Sequence, residues 1–170
     1  VAYSDEAEGF HARFDVVRKH YRYRLQHSPH ADPFTRDTAL HVYGPLDVAA
    51  MNEAAAAILG EHDFMAFKAS GIEPESTVRT IYESRWTDMG RLVVYDVAGS
   101  GFLYNMVRIL AGTMVEIGMG RRDAASMQRA LSSRQRNDAG PTAPASGLAL
   151  TRVEYAQFDT KEYIPCETSW

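Results

Sequence analysis

From Phe10 the chain alternates apolar and polar residues: Phe10, Ala12, Phe14 and Val16 share one parity, His11, Arg13 and Asp15 the other. After Val17 the parity flips, and Tyr21, Tyr23 and Leu25 become the apolar set against His20, Arg22 and Arg24. A strand changes faces only by inserting a residue, so this pattern predicts a strand with a bulge or break near Val17 to Lys19. Residues 26–45, with Pro29, Pro33, Gly44 and Pro45, read as a long loop. An alanine-rich helix is predicted from Leu46 to Leu59, with Asp47 as its cap and Gly60 as its stop. Residues 77–87 and 91–98 form a strand pair across Asp88-Met89-Gly90.

The stretch from Gly99 to Gly118 predicts the central helix. Phe102, Met106, Ile109, Leu110, Thr113 and Ile117 fall on one face, widened by Leu103, Val107 and Met114. Tyr104, Asn105, Arg108, Gly112 and Glu116 fall opposite, with Tyr104, Arg108 and Gly112 at successive i,i+4 steps. A guanidinium beside a residue without a side chain has room for a carboxylate or phosphate, and Arg108 is expected to line an open cleft. A shorter helix follows from Ala124 to Leu131, capped by Asp123, then a polar loop from Arg134 to Gly147 and a last strand from Leu148 to Tyr155. The order β, α, β, β, α, α, β implies an α+β domain, a mostly antiparallel sheet with its helices on one face. We divide the chain into a domain over residues 1–155 and an irregular aromatic tail over 156–170; residues 1–9 are an acidic lead-in without pattern.

At 170 residues the chain is long enough for one substantial core. Its one cysteine, Cys166, excludes an internal disulfide framework and suits a reducing compartment, hence a cytoplasmic location. It opens on Val1 rather than methionine, the expectation being a fragment or a processed product. A net charge of −4 argues against a dedicated nucleic-acid binder, yet Arg13, Arg18, Lys19, Arg22 and Arg24 face the single acid Asp15. Tyr21 and Tyr23 interleave with them, a mix that suits both phosphates and bases. On composition alone, a charged outer strand face with tyrosines turned to the core fits equally well. His27, His30 and His41 lack the spacing of a metal site, and His62-Asp63 lacks a nucleophile beside it. Asp63 is expected to fold back on its own backbone.

Five motifs carry a resemblance: Phe10-His-Ala-Arg-Phe14 with Tyr21-Arg-Tyr23, Gly60-Glu-His-Asp-Phe-Met-Ala-Phe67, Thr77-Val-Arg-Thr-Ile81, Gly101-Phe-Leu-Tyr-Asn-Met-Val-Arg108 and Gly140-Pro-Thr-Ala-Pro-Ala-Ser-Gly-Leu148. In this order and over nearly the whole chain up to Tyr155, the sequence resembles the bacterial tRNA pseudouridine synthase A family. The resemblance implies the C-terminal half of the pseudouridine synthase fold and isomerisation of uridine to pseudouridine in the anticodon stem-loop of tRNA, without cofactor or metal. By motif position it makes Arg108 the partner of a nucleophilic aspartate, Tyr21 the ring that stacks on the target base, and Leu148 a wall of the pocket. A neighbouring guanidinium lowers a carboxylate pKa by about 1–3 units and keeps it ionised. Arg13, Arg18, Lys19, Arg22 and Tyr21 are the expected RNA contacts.

The family's nucleophile lies in R-T-D-x-G-V-H-A, upstream of F-H-A-R-F, and residues 1–9 hold nothing like it. Arg136-Asn-Asp138-Ala-Gly140 offers R-x-D-x-G, but it lies downstream and runs directly into the family's T-A-P-x-x-G-L segment. The expectation is therefore a C-terminal part, inactive alone, with an N-terminal domain of the same protein and a second copy as partners and tRNA as substrate. The alternative is a stand-alone RNA-binding module without catalysis.

Overall fold

The computed structural model describes residues 10–71, 73–156 and 159–163; the acidic lead-in, Cys166 and most of the tail lie outside them. Among the described residues, six strands and three α-helices follow one another as β1 (Val16–His27), β2 (Leu40–Val42), α1 (Val48–Ala56), β3 (Gly60–Asp63), β4 (Val78–Asp88), β5 (Leu92–Gly99), α2 (Met106–Gly118), α3 (Ala125–Ser133) and β6 (Leu148–Tyr155). The strands form one sheet in the order β2-β1-β5-β4-β3, with β6 also on β1. On that edge β6 covers Val16 to Tyr23 and β2 covers Leu25 to His27. Every pairing is antiparallel except β1 with β2, so the α+β, mostly antiparallel reading holds.

The expected break in β1 is present. Against β6 the register slips at Val17, and again opposite Thr151, whose hydroxyl donates to the His20 carbonyl at 3.2 Å. Between these slips and His27 the strand keeps Tyr21, Tyr23 and Leu25 on the helix side, Tyr23 and Leu25 with no exposed surface. The residues before the break correct the prediction: Phe10 to Asp15 do not extend the strand. The His11 backbone N–H donates to the Asp15 carboxylate at 2.6 Å and the His11 ring accepts from Arg13, closing a turn that leaves Phe14 exposed. Side-chain hydrogen bonds to nearby backbone compete with strand pairing, and here they win.

Asp47 caps α1, accepting from Ala50 at 2.9 Å. From the same helix Asn52 reaches the edge of β4, accepting from the Trp86 backbone N–H at 2.9 Å and donating to its carbonyl at 3.0 Å. One amide side chain thus serves the edge groups that a neighbouring strand would otherwise satisfy. Two strands fall where the sequence read loop and turn. β2 holds three residues and β3 four, too few to show a period. Asp63, ending β3, does fold back, accepting from Met65 at 3.1 Å, and also holds the Thr77 hydroxyl.

The helix α2 is buried almost all round: the loop of residues 139–147 packs on it at Gly112 and Thr113, and Met51 of α1 packs on Gly118. Its core side meets Trp86, stacked on Tyr95 at 4.8 Å, whose indole N–H points at Met114 sulfur. Each fully buried Ile or Leu on it, such as Ile109 and Leu110, contributes about 1.5–3 kcal/mol. The helix starts later than its periodicity suggests. Asn105 has φ +58°, so Phe102, Leu103 and Tyr104 form the approach to the helix rather than its first turn.

Candidate active site

Where β5 ends, the turn Gly99-Ser100-Gly101 stays alongside β4, the Ser100 N–H donating to the Thr80 carbonyl at 2.9 Å, and leads to Phe102. The Tyr21 ring meets Phe102 edge-on, at 5.2 Å between centroids and 86°. Two residues along the same strand face, the Tyr23 hydroxyl donates to the Pro144 carbonyl at 2.7 Å. Tyr23 pairs across the sheet with Leu148 and Tyr21 with Leu150, which is half exposed. Gly147 fits against the Tyr23 ring, where a β-carbon would stand 2.8 Å from Cζ.

Arg108 enters this group from the first turn of α2. Its Nε donates to the Ala143 carbonyl at 2.6 Å and its Nη1 to the Asn105 amide oxygen at 2.9 Å. The Arg108 carbonyl in turn accepts from the Ala143 N–H at 3.1 Å, so one loop residue fixes both ends of the arginine. Its side-chain acceptors are neutral and it makes no ion pair among the described residues, so the guanidinium is oriented with its charge uncompensated. That charge reaches Tyr23: burial pushes its hydroxyl up to about 12, and the Arg108 guanidinium opposes the rise. Burial raises the Tyr21 hydroxyl as well, so both phenols stay protonated through neutral pH.

The space expected beside Gly112 is absent, which corrects the reading of that glycine. A β-carbon there would run into the Pro141 carbonyl oxygen, with Pro141 C at 3.1 Å and the Ala143 nitrogen at 3.2 Å. The glycine admits the loop backbone that holds Arg108. The residues that perform the holding, Asn105 and Ala143, were not singled out in the sequence. The periodicity set Asn105 inside the helix, so the left-handed backbone that an asparagine tolerates was not legible there.

Arg108, Tyr21 and Leu148 thus gather around Tyr23. The expected RNA contacts divide. Lys19, paired with Gly99 across β5, shares the strand face of Tyr21. Arg18 and Arg22 lie on the opposite face, in ion pairs. Arg22 clasps Asp96 through two bonds of 2.8 and 3.2 Å, whereas Arg18 lies 3.8 Å from Glu154 and over the Tyr82 ring. Glu154 also takes His20 at 2.6 Å and Arg152 at 3.0 Å, so Arg18, His20 and Arg152 share one carboxylate on that face. Arg13 belongs to the turn before β1, over the Phe14 ring at 5.6 Å.

Asp138 is separate from all of these. It is exposed and lines a shallow groove with Gln128, Arg129 and Ser132 of α3. Its own carbonyl is bound by Arg122, which pairs with Glu116 toward the far end of α2 from Arg108. Asp138→Ala is expected to leave pseudouridine formation within about twofold of the parent, measured on tRNA in a protein that includes the upstream aspartate motif. Among the described residues no group of three or more His, Cys, Asp or Glu is placed to hold a metal ion, and no helix is long and apolar enough to cross a membrane.

A family model described as tRNA pseudouridine synthase matches residues 54–156, which include α2, Arg108 and the loop that grips it. The chain belongs to that family. Among curated relatives, the tRNA pseudouridine synthase A of Brevibacillus brevis is 47% identical over 146 residues, covering 86% of this chain and 60% of the relative. That of Halalkalibacterium halodurans is 42% identical, covering 98% of this chain and 65% of the relative, and that of Bacillus subtilis 45% identical, covering 87% and 60%. The chain therefore spans about three fifths of the length of these synthases. β1, with Tyr21 and Lys19, lies before the matched region of the family model, but the Halalkalibacterium alignment covers nearly the whole chain.

Proposed function

We propose that the protein isomerises uridine to pseudouridine in the anticodon stem-loop of tRNA, and that residues 1–155 act as the C-terminal domain supplying Arg108, Tyr21 and Leu148 to the site, with 156–170 as a tail. The observation that carries this reading is the meeting of three side chains from separate motifs around Tyr23, with an arginine held only by neutral acceptors. A pre-oriented, uncompensated guanidinium suits a carboxylate that must stay ionised to attack the sugar. That carboxylate belongs to R-T-D-x-G-V-H-A, a motif these 170 residues do not contain. An N-terminal domain of the same protein brings it to Arg108, and the complete protein works as a cytoplasmic homodimer. The bond from uracil nitrogen to the sugar breaks, the base turns over against the Tyr21 ring, and a carbon–carbon bond replaces it. A tyrosine face accepts each orientation of the turning base.

The test is release of tritium from tRNA labelled at uridine C5, where the incoming sugar displaces the hydrogen. The chain of 170 residues alone is expected to release none, and a protein that adds the upstream aspartate motif is expected to release it. Release by the chain alone, or none by the longer protein, contradicts the proposal. In the longer protein Tyr21→Ala should lower turnover about 5- to 150-fold, equivalent to about 1–3 kcal/mol of lost stacking. Tyr21→Phe keeps the ring and should remain near the parent rate. Thermal unfolding distinguishes this from a packing role, for which activity would fall only in proportion to the loss of folded protein.

A further inference from the structure

The sheet end that carries Tyr21, Phe102 and Lys19 holds a further charge that the site described above does not use. Arg22, Arg122, Arg134 and Arg152 pair with Asp96, Glu116, Asp63 and Asp159. Arg79, on β4, does otherwise. Its Nη1 donates to the backbone carbonyls of Ser76 at 2.9 Å and Val78 at 2.6 Å, and it makes no ion pair among the described residues. Carbonyls orient a guanidinium without cancelling its charge, which leaves the rest of its donor fork for an anion.

The turn beside it adds to this arrangement. Arg79 Nε lies 3.5 Å from where a Gly101 β-carbon would stand, so no side chain of that residue covers it. The exposed Ser100 uses its hydroxyl oxygen to accept the Thr80 N–H at 3.1 Å, and its own hydrogen is left to donate outward. Across β5 from the same turn stands Lys19, paired with Gly99, on the strand face of Tyr21 and also without an ion pair among the described residues. Two uncompensated cations and a free hydroxyl donor therefore flank a glycine-bounded turn one residue from the Phe102 ring that meets Tyr21.

We infer that Arg79, Ser100 and Lys19 form a phosphodiester subsite, which holds the RNA backbone next to the base on Tyr21. The inference rests on the proposed function for the identity of the polymer. Its test is binding of a fluorescent tRNA anticodon stem-loop to the chain across a salt series. Arg79→Gln is expected to weaken binding about 5-fold and to reduce the slope of log affinity against log salt by about one. Arg79→Lys, which keeps the charge, should retain the slope, and Arg129→Gln on α3 should change neither quantity. A slope and affinity unchanged in Arg79→Gln, or no RNA binding at low salt, overturns the subsite. Tritium release separates the two claims. Pseudouridine formation with an unaltered Arg79→Gln slope removes the subsite and leaves the function. A reduced slope in a protein that never forms pseudouridine leaves the anion subsite and removes the function.

Discussion

Arg108→Gln, assayed in a protein that includes the upstream aspartate motif, is expected to lower turnover on tRNA by about 100- to 1000-fold, the usual loss when one preorganised charge-stabilising donor is removed. Glutamine can reach one of the two acceptors, Ala143 O or Asn105 Oδ1, but carries no charge for the incoming carboxylate. Arg108→Lys keeps the charge and should also be severely impaired. A lysine has no planar fork to meet acceptors on two edges, so its ammonium is not held in the place of the guanidinium. Stability should suffer far less than rate, because the side chain is only half-buried and each lost hydrogen bond costs about 0.5–1.5 kcal/mol. Single-turnover rates and thermal melts on the same samples check both halves. A variant that turns over near the parent rate would remove Arg108 from the site.

Gly112→Ala is expected to destabilise the fold, the reverse of what helix propensity alone gives. In an ordinary helix interior the change stabilises by about 0.5–1 kcal/mol. Here the new methyl collides with the Pro141 carbonyl, a backbone group that cannot rotate away as a side chain would. The loop must lift, and with it go the bonds between Ala143 and Arg108 and between Gly140 N–H and the Thr113 hydroxyl, the latter at 2.8 Å. Overpacking costs about 1–3 kcal/mol, and each broken hydrogen bond about 1 kcal/mol more. The melting temperature should fall on the order of 10 °C for a chain of this size. The sign of the shift is the check: a melting temperature at or above the parent would show that the loop does not depend on this close approach.

The sequence made some of this legible and hid the rest for identifiable reasons. A two-residue period that changes phase needs an extra residue, and the slip at Val17 supplies it. The Asp47 cap and the apolar breadth of α2 are local properties, so they could be read directly. Phe10 to Phe14 alternates as well as any strand, yet the His11 and Asp15 hydrogen bonds turn it into a loop. The motifs named Arg108, Tyr21 and Leu148 one at a time; their common neighbour Tyr23 became visible only once β6 lay beside β1. Arg18 and Arg22 show the same limit. Their parity set them opposite Tyr21, but their partners Glu154 and Asp96 come from strands distant in sequence, and no local pattern announces such pairings.

The proposed function requires RNA on the helix-side end of the sheet, around Tyr21 and Arg108, and not on the charged outer face. Nuclear magnetic resonance of the isotope-labelled chain, titrated with a tRNA anticodon stem-loop, tests this most directly. Shifts are expected at the Arg108 Nε–H, the Tyr21 and Phe102 rings and the Leu148 methyls, with Arg22 and Arg152 Nε–H signals unmoved. Shifts concentrated at Arg22, Arg152 and Tyr82, with Arg108 and Tyr21 unchanged, would contradict it.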